Sequence, residues 1–353
     1  MEFSIWGANL SGGFLRAHID QETEGSYSYN RKLIQIADHL QVDSILFPVG
    51  FTGNIGGTAG GSGQLDPLTI AAALAAETEH IHLIAAVFPG LVHPATLAKI
   101  GSTLDIVSNG RFHINLVSGW SQEEQEMFGL EWSGHEERYK RSEEFLQVLK
   151  GLWTENHFSF NGDYYQIKDA SLTPKPVQEP YPAIYQGGNS PEAQELAGCH
   201  SDYYFLNGAP AEELIEQIAH VRSIAASHGR EIKFAVNAFV IAREHEADAR
   251  AELDYIIEHA DESAINQFKQ RNQAESIWKH AESNGEFIAN HEGFRTGLIG
   301  SYQQVAAKIE ELERIGIDQI LLTFRFPVQE LPLFYNKVVS RLHNRRFRLD
   351  YSI

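Results

Sequence analysis

A glycine-containing junction between a predicted strand and a predicted helix is the part of the sequence best suited to binding a phosphate. In Tyr185–Glu192, the strand leads through two glycines into a helix that begins near Pro191. Glycine lets the backbone approach a ligand closely, and a helix N-terminus presents free N–H groups with the positive end of the helix dipole. An ordinary N-cap would explain Ser190 but not the glycines before it. The pattern predicts a phosphate site formed by Gln186, Gly187, Gly188, Asn189 and Ser190.

Two further segments carry polar groups that suit the same ligand. Asn115 lies on a buried strand, where its amide needs hydrogen-bond partners, and a neighbouring backbone would serve as well as a ligand. Ser118, at the end of that strand, could offer a hydroxyl and backbone N–H groups to a phosphate. In His135–Ser142, Arg138 and Tyr139 could reach a phosphate, although this pattern is also typical of a solvated helix start.

The sequence lacks the motifs of several other chemistries. The glycine-rich stretch Gly53–Gly63 has no P-loop lysine and no correctly spaced GxGxxG, so we interpret it as an active-site loop. HExxH and GxSxG are absent, the histidines show no zinc-like pairing, and Cys199 is the single cysteine. We therefore predict no metal site and no protein nucleophile, and a barrel of this kind often delegates its chemistry to a cofactor.

The elements that would position these residues alternate between strand and helix. Eight apolar runs read as strands: Phe3–Ala8, Asp43–Val49, His82–Val87, Phe112–Val117, Ala183–Gln186, Asp202–Leu206, Lys233–Ala242 and Gln319–Phe324. Continuously apolar strands separated by helices indicate a parallel sheet covered on both faces. Eight of them favour an α/β fold of the closed (β/α)8 barrel type, with a doubly wound sheet as the alternative.

Insertions are expected on one barrel domain that spans residues 1–353. Phe158–Asp169, centred on Asn161-Gly162, predicts a β-hairpin. Asp261–Arg295 is polar, irregular and long for a barrel connection, which makes it a candidate mobile lid.

The amino-acid composition argues against two classes of binding partner, nucleic acids and membranes. The net charge of −19 argues against nucleic acid, because nucleic-acid binders cluster Lys and Arg. No apolar run approaches the roughly 20 residues that span a bilayer, and no signal peptide opens the chain. These features favour a cytoplasmic enzyme or binding protein without a membrane partner.

Taken in order, the segments resemble the bacterial luciferase-like, FMNH2-dependent monooxygenases. The similarity runs from Trp6 to the last helix. It rests on Ala85-Ala86, Ser108-Asn-Gly-Arg111, Asn115-Leu-Val-Ser-Gly119, Glu137-Arg-Tyr139 and Gln186-Gly-Gly-Asn-Ser190. The resemblance implies FMN binding by Ala85, Ala86, Asn115, Ser118, Tyr139 and the Gln186–Ser190 turn.

Within this family, several stretches are most similar to the dimethylsulfone monooxygenases, and the alkanesulfonate enzymes are more distant. Where the latter carry an Arg and a His facing the substrate, this chain has Asn237 and Phe239. A bidentate Arg suits a sulfonate anion, whereas an Asn beside a Phe suits a neutral sulfone. The chain departs from the sulfone enzymes in the Gly53–Gly63 loop and at Phe326, which stands in place of a His.

The resemblance also implies a mechanism and partners. A separate NAD(P)H-dependent reductase would deliver FMNH2, O2 would be consumed near Asn115, and a small organosulfur compound would be oxidised. The chain would be a homodimer or homotetramer. We expect the substrate pocket to be walled by Trp6, Phe51, Asn237, Phe239 and Phe326. Two alternatives remain open at this stage: another substrate, such as an alkanesulfonate or a pyrimidine, and a non-redox barrel enzyme with a phosphate ligand.

Overall fold

Eight parallel strands form a closed barrel. The computed structural model describes residues 1–51, 63–119, 122–129, 132–271 and 283–342. The barrel strands are β1 (Glu2–Trp6), β2 (Ser44–Phe47), β3 (His82–Val87), β4 (Phe112–Leu116), β7 (Ile184–Gly187), β8 (Tyr203–Leu206), β9 (Lys233–Phe239) and β12 (Gln319–Thr323). All eight correspond to predicted strands, because their apolar runs are buried on both faces.

The barrel closes through the first and last strands. β1 pairs in parallel with β12, with Glu2 opposite Gln319, and on its other side with β2. A closed ring in the strand order β1-β12-β9-β8-β7-β4-β3-β2 excludes the doubly wound alternative, which would leave two open edges.

Helices cover the outside of the barrel. They are α1 (Tyr27–His39), α2 (Pro67–Ala75), α3 (Pro94–Val107), α4 (Gln122–Met127), α5 (His135–Thr154), α6 (Pro191–His200), α7 (Ala211–Ser227), α8 (Glu246–Glu258), α9 (Glu262–Arg271), α10 (Asn284–His291), α11 (Tyr302–Ile315) and α12 (Pro327–Lys337). Local signals set several ends. The Asp66 carboxylate accepts from Thr69 N at 2.7 Å at the start of α2, and Ser301 with Gln304 forms a capping box on α11. None of the described helices combines the length and apolar character of a bilayer span.

Strand side chains alternate between the helix layer and the barrel interior. On β3, Leu83, Ala85 and Val87 belong to the outer core, whereas Ile84 faces inward. The inward residues form an apolar layer across the barrel, made of Leu46, Ile84, Tyr185 and Leu321. The Tyr203 ring stacks on the Tyr185 ring of this layer, with the two centroids 4.1 Å apart. This apolar layer separates the mouth, at the carboxyl ends of the strands, from the opposite end.

The predicted insertions are partly as expected. β5 (Phe158–Asn161) and β6 (Gln166–Ala170) form the antiparallel hairpin. Asp261–Arg295 is not irregular in its described parts, because it contains α9 and α10, which pack on a second apolar cluster with Phe239 and Ile241. A small parallel sheet of β10 (Ile241–Arg243) and β11 (Ile299–Ser301) adjoins it.

Candidate active site

An indole and an amide meet at the mouth of the barrel. Trp6 ends β1, and its Nε1 donates to Asn237 Oδ1 on β9 over 3.2 Å. Because an indole N–H can only donate, the amide oxygen must face it, and Asn237 Nδ2 lies instead beside Gly293, where an added Cβ would be 2.9 Å away. No partner for Nδ2 is found among the described residues. Two of the predicted pocket residues are thus brought together as an uncharged polar pair.

The three predicted aromatic walls lie in different surroundings. Phe239 is fully buried, with its ring centroid 4.5 Å from that of Phe294, so it belongs to an apolar core rather than to an open wall. Phe326 borders a cavity of about 430 Å3 together with Phe324 and Glu330. Phe51 is half exposed and its backbone N–H donates to Glu124 Oε1 at 3.0 Å. The remainder of the predicted glycine loop, 52–62, lies outside the described residues.

Asn115 offers an acceptor to a ligand. Its Oδ1 is buried and has no hydrogen-bond partner among the residues that the structure describes, although a buried amide oxygen normally has one. Asn115 pairs across the sheet with Ala86, whose small side chain faces the barrel interior on the same side as Ile84. Ala85 points the other way, into the outer core, so only its backbone could contact a ligand at the mouth.

The first turns of α5 link the ends of β4 and β7. Ser142, fully buried on α5, donates through Oγ to Ser118 Oγ at 2.9 Å. Gly119 has a φ of 109°, and a Cβ there would lie 3.4 Å from Arg138 Cδ. Arg138 stacks over the Trp132 ring at 4.0 Å and donates to Ser133 O at 2.7 Å, so these contacts hold its guanidinium beside the β4 end.

The turn at Gly188, called the Gly188 cradle below, packs too closely for a side chain at that position. The φ of Gly188 is 131°, and a Cβ would lie 2.7 Å from Ala193 Cβ and 3.1 Å from Tyr139 Oη. Burial raises the pKa of Tyr139, so its hydroxyl stays protonated and able to donate. Tyr204 donates to Gly188 O and thereby fixes the turn. The close-packed glycine backbone, the Tyr139 hydroxyl and the N-terminus of α6 together suit a phosphate group.

The side chains of Gln186 and Ser190, which were predicted to bind the phosphate, form hydrogen bonds within the protein. Gln186 is fully buried, donates to Ala193 O at 3.2 Å and accepts from Ser201 Oγ at 3.1 Å, so its side chain holds β7 against α6. Ser190 Oγ accepts from Ala193 N at 3.2 Å as an N-cap. Gly187, on the inward face of β7, and exposed Asn189 complete the turn.

Sequence reasoning did not single out four residues that shape the mouth: Tyr204, Ser142, Thr296 and Gln125. Thr296 Oγ1 donates to Asn237 O at 2.5 Å, across 59 positions of sequence. Gln125 Nε2 is buried, finds no partner within the described part of the chain, and borders a small cavity with Phe51 and Gly119. The buried polar character of Ser142 on an amphipathic helix was the one local signal available.

Comparison with known proteins places this geometry in a family. A family model described as luciferase-like monooxygenase matches residues 10–319. The chain belongs to the luciferase-like monooxygenases. This excludes the non-redox barrel enzyme that the sequence left open. The chain is 40% identical over 346 residues to an FMNH2-dependent dimethylsulfone monooxygenase of Pseudomonas putida, with 96% of this chain and 94% of that protein covered. A protein of the same name from Pseudomonas fluorescens is 38% identical, with 96% and 93% covered.

Solved structures agree with the fold of this luciferase-like monooxygenase. A long-chain alkane monooxygenase superimposes with a TM-score of 0.83 at 21% identity, covering 100% of this chain and 93% of the other. DmoA from Hyphomicrobium sulfonivorans gives 0.77 at 18% identity, covering 98% and 89%. At such identities the likeness confirms the predicted (β/α)8 barrel and leaves residue roles to the site itself.

Proposed function

We propose that this chain is an FMNH2-dependent dimethylsulfone monooxygenase, which converts dimethylsulfone, O2 and FMNH2 into methanesulfinate, formaldehyde, FMN and water. The observation that supports a neutral substrate is the uncharged pair of Trp6 and Asn237 at the barrel mouth. The names of two relatives about 40% identical over nearly the whole chain support the reaction. When bound, reduced FMN supplies the two electrons that O2 chemistry requires.

The cofactor would be held by residues from three strand ends. We assign the phosphate to the Gly188 cradle, where Gly187, Asn189 and Ser190 present backbone N–H groups at the start of α6 and Tyr139 donates its hydroxyl. Ser118 lies beside the same first turns of α5. Asn115 Oδ1 would accept a hydrogen bond from the cofactor, and the small side chain of Ala86 would leave room for it beside Asn115.

The substrate would be held by Asn237. Its Nδ2 can donate to a sulfone oxygen, because Trp6 occupies Oδ1. A sulfonate instead carries a full charge, and an unpaired ion is costly to bury. The carboxylate of Glu124, which is largely buried beside Phe51, makes the mouth still less favourable for an anion. Phe326 and Phe239 would shape the pocket from behind.

The proposal includes partners and assembly. Since the relatives depend on FMNH2 by name, a separate NAD(P)H-dependent reductase would supply it. We place the enzyme in the cytoplasm as a homodimer or homotetramer, with residues 1–353 as one barrel and Asp261–Arg295 as a lid over the mouth.

The decisive experiment compares kcat/KM for dimethylsulfone and methanesulfonate, with FMNH2 supplied and products identified. We expect the wild-type enzyme to favour the sulfone by at least about 100-fold, because an unpaired buried charge costs several kcal/mol. Asn237→Arg should lower sulfone turnover, since it replaces the amide with a charged group that no longer fits Trp6.

A matched control adds the same charge elsewhere. Asn156→Arg changes an exposed residue before the hairpin and should leave both substrates unaffected. A wild-type preference for methanesulfonate would contradict the neutral substrate. Activity with neither compound, in an enzyme that binds FMNH2, would reject dimethylsulfone while the family assignment stands.

A further inference from the structure

Three side chains that can bind a metal converge on the outer surface, away from the barrel mouth. Glu195 and Cys199 lie one turn apart on α6, and His228 caps the end of α7. Cys199 Sγ is 3.6 Å from Glu195 Oε1 and 3.5 Å from His228 Nε2, and one ligand atom from each residue lies within 4.8 Å of the others. We propose that these residues bind a zinc-type divalent cation.

The distances from Cys199 Sγ to the glutamate oxygen and to the histidine nitrogen match tetrahedral coordination. With metal–sulfur bonds of about 2.3 Å and metal–nitrogen or metal–oxygen bonds of about 2.0–2.1 Å, tetrahedral angles place sulfur about 3.6 Å from each neighbouring ligand atom. Both measured sulfur distances agree with that spacing. Glu195 and His228 are exposed, so the fourth position is open to water.

The histidine is held in the form that can ligate a metal. His228 Nδ1 lies 3.1 Å from Ile224 O, and a carbonyl only accepts, so Nδ1 carries the proton. Nε2 is then the unprotonated nitrogen; it lies 3.5 Å from Cys199 Sγ, and Nδ1 lies 3.7 Å from the same sulfur. Metal-binding histidines commonly donate their second nitrogen to a carbonyl or carboxylate in this way.

The carboxylates around Cys199 favour a cation. Glu195 and Glu143 both lie close enough to Cys199 to act on its sulfur electrostatically. On binding, the S–H bond breaks, a sulfur–metal bond forms and the proton passes to solvent, with no change in oxidation state. The same carboxylates attract a divalent ion.

Such a site would join α6 to α7 without touching the chemistry at the mouth. The cradle lies at the N-terminal end of α6, whereas Cys199 lies near its C-terminal end. The proposal thus stands independently of the assigned substrate. The site could not be predicted from the sequence, because His228 follows Cys199 by 29 residues and only the packing of α6 on α7 brings them together.

Cobalt titration tests the site directly. The chelator-treated full-length enzyme should bind one equivalent of Co2+ with a thiolate-to-cobalt charge-transfer absorption in the near ultraviolet, which Zn2+ abolishes by displacement. Cys199 is the only cysteine, so that absorption reports this site alone. Glu195→Gln and His228→Gln should each weaken Co2+ binding at least about 10-fold, and Cys199→Ser should remove the thiolate band in a protein with wild-type circular dichroism.

His157 provides a matched control. It pairs with Asp169 at 2.9 Å on the surface, and no cysteine is near, so His157→Gln should leave the titration unchanged. The proposal is overturned if the folded wild-type enzyme shows no thiolate band at one equivalent. It is also overturned if Glu195→Gln and His228→Gln bind Co2+ as tightly as wild type.

Discussion

At the scale of single residues, one hydrogen bond fixes the orientation of the Asn237 amide, to which we assign the substrate. Trp6 can only donate, so it holds Oδ1 and leaves Nδ2 on the other side of the amide. In Trp6→Phe the ring remains but the amide can rotate. We expect KM for dimethylsulfone to rise about 5- to 10-fold, the value of one hydrogen bond, with FMNH2 affinity unchanged.

Trp153→Phe is the matched control for this change. The Trp153 indole donates to Ala98 O at 3.0 Å in the outer core, so its loss should lower stability and leave KM unchanged. Steady-state kinetics of both variants separate the two effects. Equal KM changes in the two variants would contradict a positioning role for Trp6.

Gly188 gives a second residue-scale prediction. Gly188→Val places a β-branched side chain where only about 3 Å separates a Cβ from Ala193 and Tyr139, at a positive φ. Reduced-flavin affinity should fall at least about 10-fold, or about 1.4 kcal/mol, in an anaerobic fluorescence titration. Gly229→Val also places valine at a positive φ, of 66°, but with nothing within 4 Å of the Cβ, and should bind normally. Wild-type affinity in a folded Gly188→Val enzyme would exclude this turn as the phosphate site.

The sequence could indicate polar residues at strand ends but not their partners. Asn115 and Gly188 stood out because a buried amide and paired glycines are unusual in their places. The surroundings of Phe239 were not predictable, since Phe294, which covers it, comes from an insertion 55 positions later in the chain. Tyr204 escaped notice because its hydroxyl meets Gly188 only once β7 and β8 are side by side.

At the scale of elements, a buried ion pair attaches the α9–α10 region to the loop after β1. Arg16 Nη1 and Glu292 Oε1 are 3.0 Å apart, with only 5% and 6% of their side chains exposed, and Arg16 also stacks over Phe268. Glu292→Gln removes a buried carboxylate from beside the Arg16 guanidinium, so we expect a loss of about 3–5 kcal/mol in the free energy of unfolding.

Urea denaturation tests this prediction against a surface pair. Arg295 and Glu213 form an ion pair with half of the Glu213 side chain exposed, so Glu213→Gln should cost under about 1 kcal/mol. Similar losses of unfolding free energy in both variants would show that the buried ion pair stabilises the fold no more than the surface pair does.

The lid hypothesis for Asp261–Arg295 stays a prediction. Residues 272–282 lie outside the described residues, and the flanking helices α9 and α10 pack on an apolar cluster. We expect hydrogen exchange in Asp261–Arg295 to be rapid in the free enzyme and to slow when FMNH2 and dimethylsulfone bind together. Protection of α9 and α10 already in the free enzyme would refute the lid.

Element prediction succeeded where burial was strong and periodic. All eight barrel strands and the hairpin were predictable, because apolar runs and an Asn-Gly turn are local signals. By contrast, α4, α9 and α10 are short and polar, and their few apolar residues acquire meaning only from the surfaces that they cover.

At the scale of the whole molecule, two histidines from different strands, at the end of the barrel opposite the mouth, make the stability of the fold depend on pH. His113 Nδ1 accepts from Ala183 N at 3.2 Å, and its Nε2 faces His82 Nδ1 at 2.8 Å. Burial, then the neighbouring charges of His82 and Lys233, lowers the pKa of His113 to about 3. Between that value and about 6.5, the unfolded chain binds the proton more readily, so stability falls as pH falls.

His113→Gln should flatten this dependence. Glutamine keeps one acceptor and one donor but does not titrate. Between about pH 7.5 and pH 5.5, we expect the wild-type enzyme to lose about 1.4 kcal/mol more stability than the variant, as measured by urea midpoints. Glu2 and Asp43 face the same cavity in both proteins and so cancel in the comparison. Equal losses of stability in the two proteins would mean that His113 does not cause the loss of stability at acidic pH.

The apolar layer of Leu46, Ile84, Tyr185 and Leu321 divides the barrel interior into two regions of different chemistry. The polar cavity of about 290 Å3, which contains His82 and His113, borders this layer only at Tyr185. The residues assigned to flavin and sulfone lie at the other end, where the strands have their carboxyl ends. The histidines that set acid stability and the residues assigned to the substrate can therefore be changed separately.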